Sequence, residues 1–286
     1  MTLDFSVLLP VYARNRPDEL RAAVLSTVDD QTRRPGELVL VRDGIVPPEL
    51  QETIDDLIEK SPVTVTYVPL DHNVGLAAAL DRGLAASAND VIARMDADDV
   101  SVATRFEKQL PLIEEGADIV GSGLMEFVGT IDNVVQVRVP PVDPAWIRSA
   151  YRFRDPFNHP TVVYRRTAVQ AVGGYQDMHL MEDYLLFARM LAAGANPANL
   201  AEPLVYYRVS DGAYARRGGR AVLRAELDLQ RRLRADGITT RGQYLRNVFV
   251  RGGYRLVPEA LRKRAYRALI AHRGFGDDAV MQGTKR

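Results

Sequence analysis

Cysteine is absent from all 286 residues, which excludes a disulfide framework, a thiolate zinc site and a cysteine nucleophile, and fits a reducing cytosol. Long hydrophobic runs are missing as well. Nowhere do 18 apolar residues follow one another, so no membrane-spanning helix is expected. Met1-Thr2-Leu3-Asp4 carries no basic stretch ahead of the first apolar run, and that run meets Pro10, so no secretory signal is expected and the predicted location is the cytoplasm. Tryptophan occurs once, at Trp146, in a segment read as helical and as core. Glycine-rich phosphate loops are not found: the first strand runs into Pro10-Val11-Tyr12-Ala13-Arg14 instead of GxGxxG, and GxxxxGK[ST] does not occur. A dinucleotide-binding domain and a P-loop enzyme are therefore disfavoured.

The net charge of zero conceals a division. Residues 213–286 hold 18 Lys and Arg against 6 Asp and Glu, a net of +12, which leaves −12 for residues 1–212. An acidic body suits metal-phosphate chemistry, and a basic tail suits an anionic surface. Two domains are expected, a catalytic body over 1–212 and a basic helical extension over 213–286. Hydrophobic residues make up 47% of the chain, enough for a sizeable core.

Within the body, apolar runs alternate with helical patterns. Phe5–Tyr12 reads as a first strand; Pro17 opens a helix with Leu20, Val24 and Val28, extending to about Gln31; Glu37–Arg42 is a second strand ending in Asp43-Gly44. A helix from Pro47 or Pro48 to Lys60, a strand over 63–68, and a helix bearing Leu76, Leu80 and Leu84 follow, with Asn73 as its candidate cap. Val91–Met95 then carries an apolar strand into Asp96-Ala97-Asp98-Asp99. This order means right-handed βαβ units and a mainly parallel sheet, in which ligands bind off the carboxyl ends of the strands. Pro10–Tyr12, Asp43 and the aspartate cluster all fall at such ends. Three carboxylates in four residues need neutralising, and their hard oxygens suit Mg²⁺ or Mn²⁺. The other reading of Asp98-Asp99, with Ser101, is the cap of the next helix. Aspartyl phosphatases of the haloacid dehalogenase type carry such a motif on the first strand, whereas here it ends the fourth.

Further along, Arg105–Glu114 reads as a helix, strands near 119–128 and 134–139 break the parallel pattern, Asp155–His159 forms a loop before a strand at 161–164, and Met181–Leu191 is a buried helix with Glu182 and Asp183 in its first turn, where the macrodipole favours acids. The tail reads as three helices, over 221–235, about 240–254, and 258–272.

Taken together, FSVLLPVY, LVRDG, HNVGLAAALDRGL, ARMDADDVSVATRFEKQ, RDPFNHPTVVYRR, GGY and MEDYLLFARMLAAGA, in that order over residues 5–212, resemble the inverting family 2 glycosyltransferases, and among them the soluble bacterial enzymes of exopolysaccharide and capsule assembly. The resemblance implies a GT-A fold: a Rossmann-like, nucleotide-diphospho-sugar transferase α/β architecture with a mostly parallel sheet flanked by helices and, here, a C-terminal helical extension. It implies that Pro10, Val11 and Tyr12 cradle the base of a nucleoside-diphosphate sugar, most simply a UDP-hexose, that Asp43 bonds the uracil or ribose, and that Asn73 and Gly75 border the nucleotide. Tyr12 also reads as a rim aromatic and Asn73 as a helix cap. Asp98 is implied as ligand of Mn²⁺ or Mg²⁺, with Asp96 reaching ribose or metal shell, His179 as a third metal ligand, and Asp99 near the sugar. Arg94, on the same face of the strand as Asp96, either assists a phosphate or pairs with an aspartate. Asp183 is implied as general base, with Glu182 and His159 binding a saccharide or lipid-linked saccharide acceptor; for His159, orienting the loop is the other reading.

The QxxRW motif and membrane helices of processive members are absent, so one sugar per encounter is expected; Tyr214-Ala215-Arg216-Arg217 stands in that region. The tail helix with Arg262, Lys263, Arg264 and Arg267 either meets the anionic inner membrane surface peripherally or is a solvated face. Nucleic acid is not an expected partner, since no known binding module appears and the body is acidic. A nucleotidyltransferase of the same fold is disfavoured because residues 10–17 contain no glycine. A scaffold acting through the basic tail is the non-enzymatic alternative.

Overall fold

The computed structural model describes residues 3–209 and 220–256. Tyr214, Arg216, Arg217 and the third tail helix, with its cluster at 262–267, lie outside these residues.

Alternation with period two builds the centre. Strand β1 (Ser6–Tyr12) lies between β2 (Glu37–Asp43) and β4 (Val91–Arg94), parallel to both, and β3 (Thr64–Pro69) closes that edge beside β2. Leu8, Val39 and Val41 point to one face of the sheet and Val7, Leu9, Leu38 and Leu40 to the other, so both faces are covered and the strands read as continuous apolar runs. Helices α1 (Pro17–Val24, prolonged by a π-turn to Asp29) and α2 (Pro48–Glu59) cover one face, and α3 (Leu76–Ala86) the other.

Beyond β4 the parallel order ends, as expected. Strand β8 (Val163–Arg165) runs antiparallel to β4 and to β6 (Ile119–Phe127); β6 is parallel to β9 (Pro197–Arg208), and the two-residue β5 (Val100–Ser101) finishes that edge. Strand β7 (Val134–Arg138) hangs on β6 as a hairpin. Among the described residues the sheet runs β3-β2-β1-β4-β8-β6-β9-β5, with β7 off this path. The helix after the aspartates, α4 (Arg105–Glu114), starts behind Thr104, so Asp98 and Asp99 precede β5 and do not cap it. Three shorter helices follow, α5 (Pro144–Ala150), α6 (Arg166–Ala171) and α7 (Glu182–Ala192).

The tail helix α8 (Arg220–Ala235) sets Val222, Ala225, Leu229 and Leu233 into the same apolar cluster as α3 and α7. Helix α9 (Arg241–Asn247), begun by a capping box between Thr240 and Gln243, packs beside it.

One glycine fixes the connection at the head of the site. Gly44 follows β2 with φ +86°, and a Cβ there would lie 2.6 Å from the Asn73 backbone nitrogen. Both the left-handed backbone and the contact oppose a side chain, so Gly44→Ala is expected to destabilise the fold by about 2 kcal/mol or more in urea denaturation.

Candidate functional site

At the carboxyl ends of β1 and β2, Tyr12 pairs in register with Asp43. Tyr12 is 42% exposed, but the Val11 side chain is buried in the core, so Val11 offers the site only its backbone. Asp43 is buried and accepts three hydrogen bonds: from Asn73 Nδ2 at 2.9 Å, from the Val74 N–H at 2.7 Å and from the Gly75 N–H at 3.1 Å. The helix cap expected of Asn73 is thus supplied by Asp43, whose charge sits at the N-terminus of α3, while Gly75, at φ +86°, occupies the position before the first turn. A carboxylate has about four acceptor positions, so one remains for a ligand.

The aspartate cluster is built around two buried arginines. Arg94 lies 2.5 Å from Asp96, which realises the pairing reading. Burial opposes the Arg94 charge, but Asp96 and its neighbours restore it and hold the guanidinium above its ordinary value. Arg105, fully buried on α4, donates to the Arg94 carbonyl at 2.8 Å and locks the strand end from beneath; burial and the Arg94 charge pull it down to about 9. Asp99 is buried too. One of its oxygens accepts from the Arg208 N–H at 2.8 Å while the other has no partner, so it fastens β9 and does not face a sugar. Burial, then Asp96 and Glu19, push Asp98 up to about 6, and burial with Asp96 and Asp98 raises Asp99.

Crowded, half-desolvated carboxylates with an orphaned oxygen fit a divalent cation bound mainly through Asp98, with Asp96 beside it. Among the described residues no group of three or more His, Asp or Glu side chains converges on one point. That pattern suits Mg²⁺ or Mn²⁺, which take most of their ligands from phosphates and water. His179, exposed, lines a separate recess of about 760 Å³ with Asp177, Tyr175 and Glu182 and is not among the residues lining the cleft with Asp96.

Asp96 and Asp183 meet across a cleft of about 660 Å³ that Arg94, His159, Asp155, Tyr207, Arg138 and Arg154 also line. Asp183 stands in the first turn of α7, its Oδ1 accepting from the Tyr184 N–H at 2.7 Å. Burial raises its pKa, and the Tyr184 N–H and Arg94 oppose the rise. His159 approaches it to 3.9 Å through Nδ1, while Nε2 lies 2.9 Å from the Tyr175 hydroxyl, itself 3.4 Å from that of Tyr164. Burial and the Arg94 charge hold this imidazole well below its ordinary pKa; its hydrogen bond is to Tyr175, and it stands beyond hydrogen-bond reach of Asp183. Glu182 is pushed up to about 7 by burial and then by Asp183.

Several lining residues carried no sequence signal. Asp155 belongs to the loop before the strand at 161–164, yet nothing marked it as lining the cleft with Asp183, whose charge adds to desolvation in raising its pKa. Arg154 opens the RDPFNHPTVVYRR stretch but had no role attached to it, and Arg138 comes from an edge strand without motif. Trp146 departs from expectation: it is 37% exposed, with the Arg154 guanidinium 4.1 Å from its ring centre.

Solved structures share this fold. Residues 1–349 of S. aureus TarS superpose with a TM-score of 0.64 at 15% identity, covering 93% of this chain and 79% of that one, and the same fragment in complex with UDP gives 0.59. At that identity the likeness establishes the fold, GT-A, with a helical C-terminal region. An uncharacterized glycosyltransferase of Haemophilus influenzae is 37% identical over 273 residues, spanning 94% of this chain and 99% of the relative. The UDP-Gal:alpha-D-GlcNAc-diphosphoundecaprenol beta-1,3-galactosyltransferase of Escherichia coli is 32% identical over 94% of this chain and 97% of its own length. The profile described as Glycosyl transferase family 2 matches residues 6–172, and with these relatives it shows that the chain is a glycosyltransferase belonging to that family.

Proposed function

We propose that the protein transfers a hexose from a nucleoside-diphosphate sugar, with UDP the expected nucleotide, to a saccharide or lipid-linked saccharide in surface-polysaccharide assembly, one sugar per encounter and with inversion. One observation carries this reading: Asp183 and Asp96, the first residue of the aspartate cluster, line one cleft, and Arg94, which pairs with Asp96, lines it with them. The named relatives support it, one acting from UDP-Gal on a diphosphoundecaprenol-linked sugar and one solved with UDP.

The nucleotide would lie over Tyr12, Asp43 and residues 73–75, with its diphosphate toward Asp96 and Asp98. A divalent cation held by Asp98 would neutralise charge on the departing diphosphate. Asp183 takes the proton from the acceptor hydroxyl as that oxygen attacks the anomeric carbon from the face opposite the diphosphate; the new C–O bond forms as the bond to the diphosphate breaks, which inverts the centre. Arg94 holds Asp96 in place and gives the diphosphate side a fixed positive field. No helix among the described residues is long and apolar enough to cross a membrane, and contact with a bilayer would be peripheral.

Calorimetric titration of UDP, GDP and dTDP with and without Mn²⁺ tests this. UDP binding that needs the metal and is weakened at least about a hundredfold in Asp98→Ala is the expected result, the loss corresponding to about 3 kcal/mol. Absence of binding by any nucleotide with metal present would overturn it.

A further inference from the structure

Strand β7 pairs with β6 along one edge only among the described residues, and Arg138, at its end, is the one charged residue on it to blunt that edge. Val135, Val137 and Val139 are 49, 51 and 54% exposed, and Val142 and Trp146, before and within α5, are exposed as well. Scattered exposed apolar residues are ordinary, whereas a contiguous strip rimmed by charge marks an interaction site.

This strip is continuous with the cleft. Val137, Val139, Pro140 and Pro141 line it together with Asp183, and so do Arg138 and Arg154. Arg138 is fixed by the buried Glu126 at 3.3 Å and stays 39% exposed, and Arg154 lies over the Trp146 ring. One cleft therefore brings together the Asp183 carboxylate, the Arg138 and Arg154 guanidinium groups and the apolar Val137 and Val139, with the Trp146 ring under Arg154. Those are the groups that a saccharide carried on a lipid diphosphate would need: a carboxylate for a sugar hydroxyl, arginines for two phosphates, and valines for a hydrocarbon chain. Guanidinium forks suit phosphate oxygens, and an amphipathic indole suits the boundary between headgroup and hydrocarbon. A second copy of the chain would meet the valines but would leave the arginines and the continuity with Asp183 without purpose.

We propose that the β7–α5 surface docks the isoprenoid-diphosphate end of the acceptor, with Arg154 and Arg138 holding the diphosphate and the strip from Val135 to Trp146 meeting the isoprenoid chain at the bilayer surface. This rests on the reading that Asp183 serves the acceptor hydroxyl. It narrows the acceptor to a lipid-diphosphate saccharide and places the membrane contact on the catalytic body, apart from the basic tail.

Co-sedimentation of the full chain with phosphatidylcholine vesicles, plain, doped with undecaprenyl diphosphate, or doped with phosphatidylglycerol, tests the proposal. Preferential capture by the undecaprenyl diphosphate vesicles is expected, reduced at least about tenfold in Arg154→Gln and in the double variant Val135→Asp/Val142→Asp. UDP titration of each variant serves as the control for folding and should match the parent. Equal capture by plain or phosphatidylglycerol vesicles, or undiminished capture of the variants, overturns the proposal. So does a dimer in solution that the double variant dissociates. If UDP fails to bind the parent while variant-sensitive lipid capture persists, the transferase reading falls and the lipid surface stands.

Discussion

Asp183→Asn is expected to lower sugar transfer by about three orders of magnitude, within the range general-base catalysis supplies, and to leave UDP binding unchanged. The substitution keeps the shape of the side chain, and the amide oxygen can still accept the Tyr184 N–H seen at 2.7 Å. What disappears is the capacity to take a proton. The pH profile checks the same assignment. Burial raises the Asp183 pKa, so the carboxylate form is lost, as pH falls, at a higher pH than the ordinary aspartate value near 3.9. The acid limb of kcat/KM should accordingly lie above that value and vanish with the residual activity of the variant. Retention of near-parental single-turnover transfer would move the base elsewhere. Asp155 would then be the first alternative, since it lines the same cleft and burial with the Asp183 charge raises its pKa, whereas Glu182 lines the separate recess.

What was legible before folding were the features encoded over short distances. The alternation of short continuous apolar runs with helical spacing marked β1 to β4 and the helices between them, because both faces of a parallel sheet must be covered. Glu182 and Asp183 were visible since a helix start and a motif coincide there. Long-range pairing was not visible. Strand β5 has two residues and exists only because Val102 and Ser101 meet β9, as in the Val102 N–H to Leu204 carbonyl bond at 3.0 Å. Asn73 has a sound N-cap sequence position, yet Asp43, thirty residues earlier, wins because a buried carboxylate at a helix start accepts three donors where an amide would satisfy one. Nor does sequence spacing along a loop containing Leu180 at φ +62° give the direction of His179, which lines the separate recess. Asp155 was hidden since its role comes from a neighbour 28 positions away.

The extension carries the second large effect. Arg251 grips the fully buried Glu226 through two hydrogen bonds of 2.6 and 2.8 Å, donates to the Phe153 carbonyl at 2.9 Å and lies 5.3 Å from the centre of the Tyr184 ring. Asn247 adds a bond to the Arg152 carbonyl at 2.7 Å. The tail therefore clamps the segment that leads into Asp155 and the helix turn that presents Asp183. Removing one partner of a buried pair leaves the other uncompensated, at a cost of about 3 kcal/mol or more. Arg251→Ala should lose that much stability in urea unfolding, partly cushioned by Arg255, which lies 3.2 Å from Glu226. The acid response should shift in a stated direction. Burial acts to raise the Glu226 pKa, but Arg251 overrides it and holds the carboxyl below the ordinary glutamate value. The pair's contribution is thus present above the unfolded value near 4.3 and is lost as pH falls through the lower folded value. Without Arg251 burial dominates, the Glu226 pKa rises, and the variant should lose stability at a higher pH than the parent. Arg251→Lys, which keeps the charge but not the fork, should fall between the two. If the clamp serves catalysis as well as stability, both variants, assayed below their unfolding range, should raise the acceptor KM or lower kcat while UDP affinity holds. Parental kinetics with lowered stability would confine the extension to a structural role.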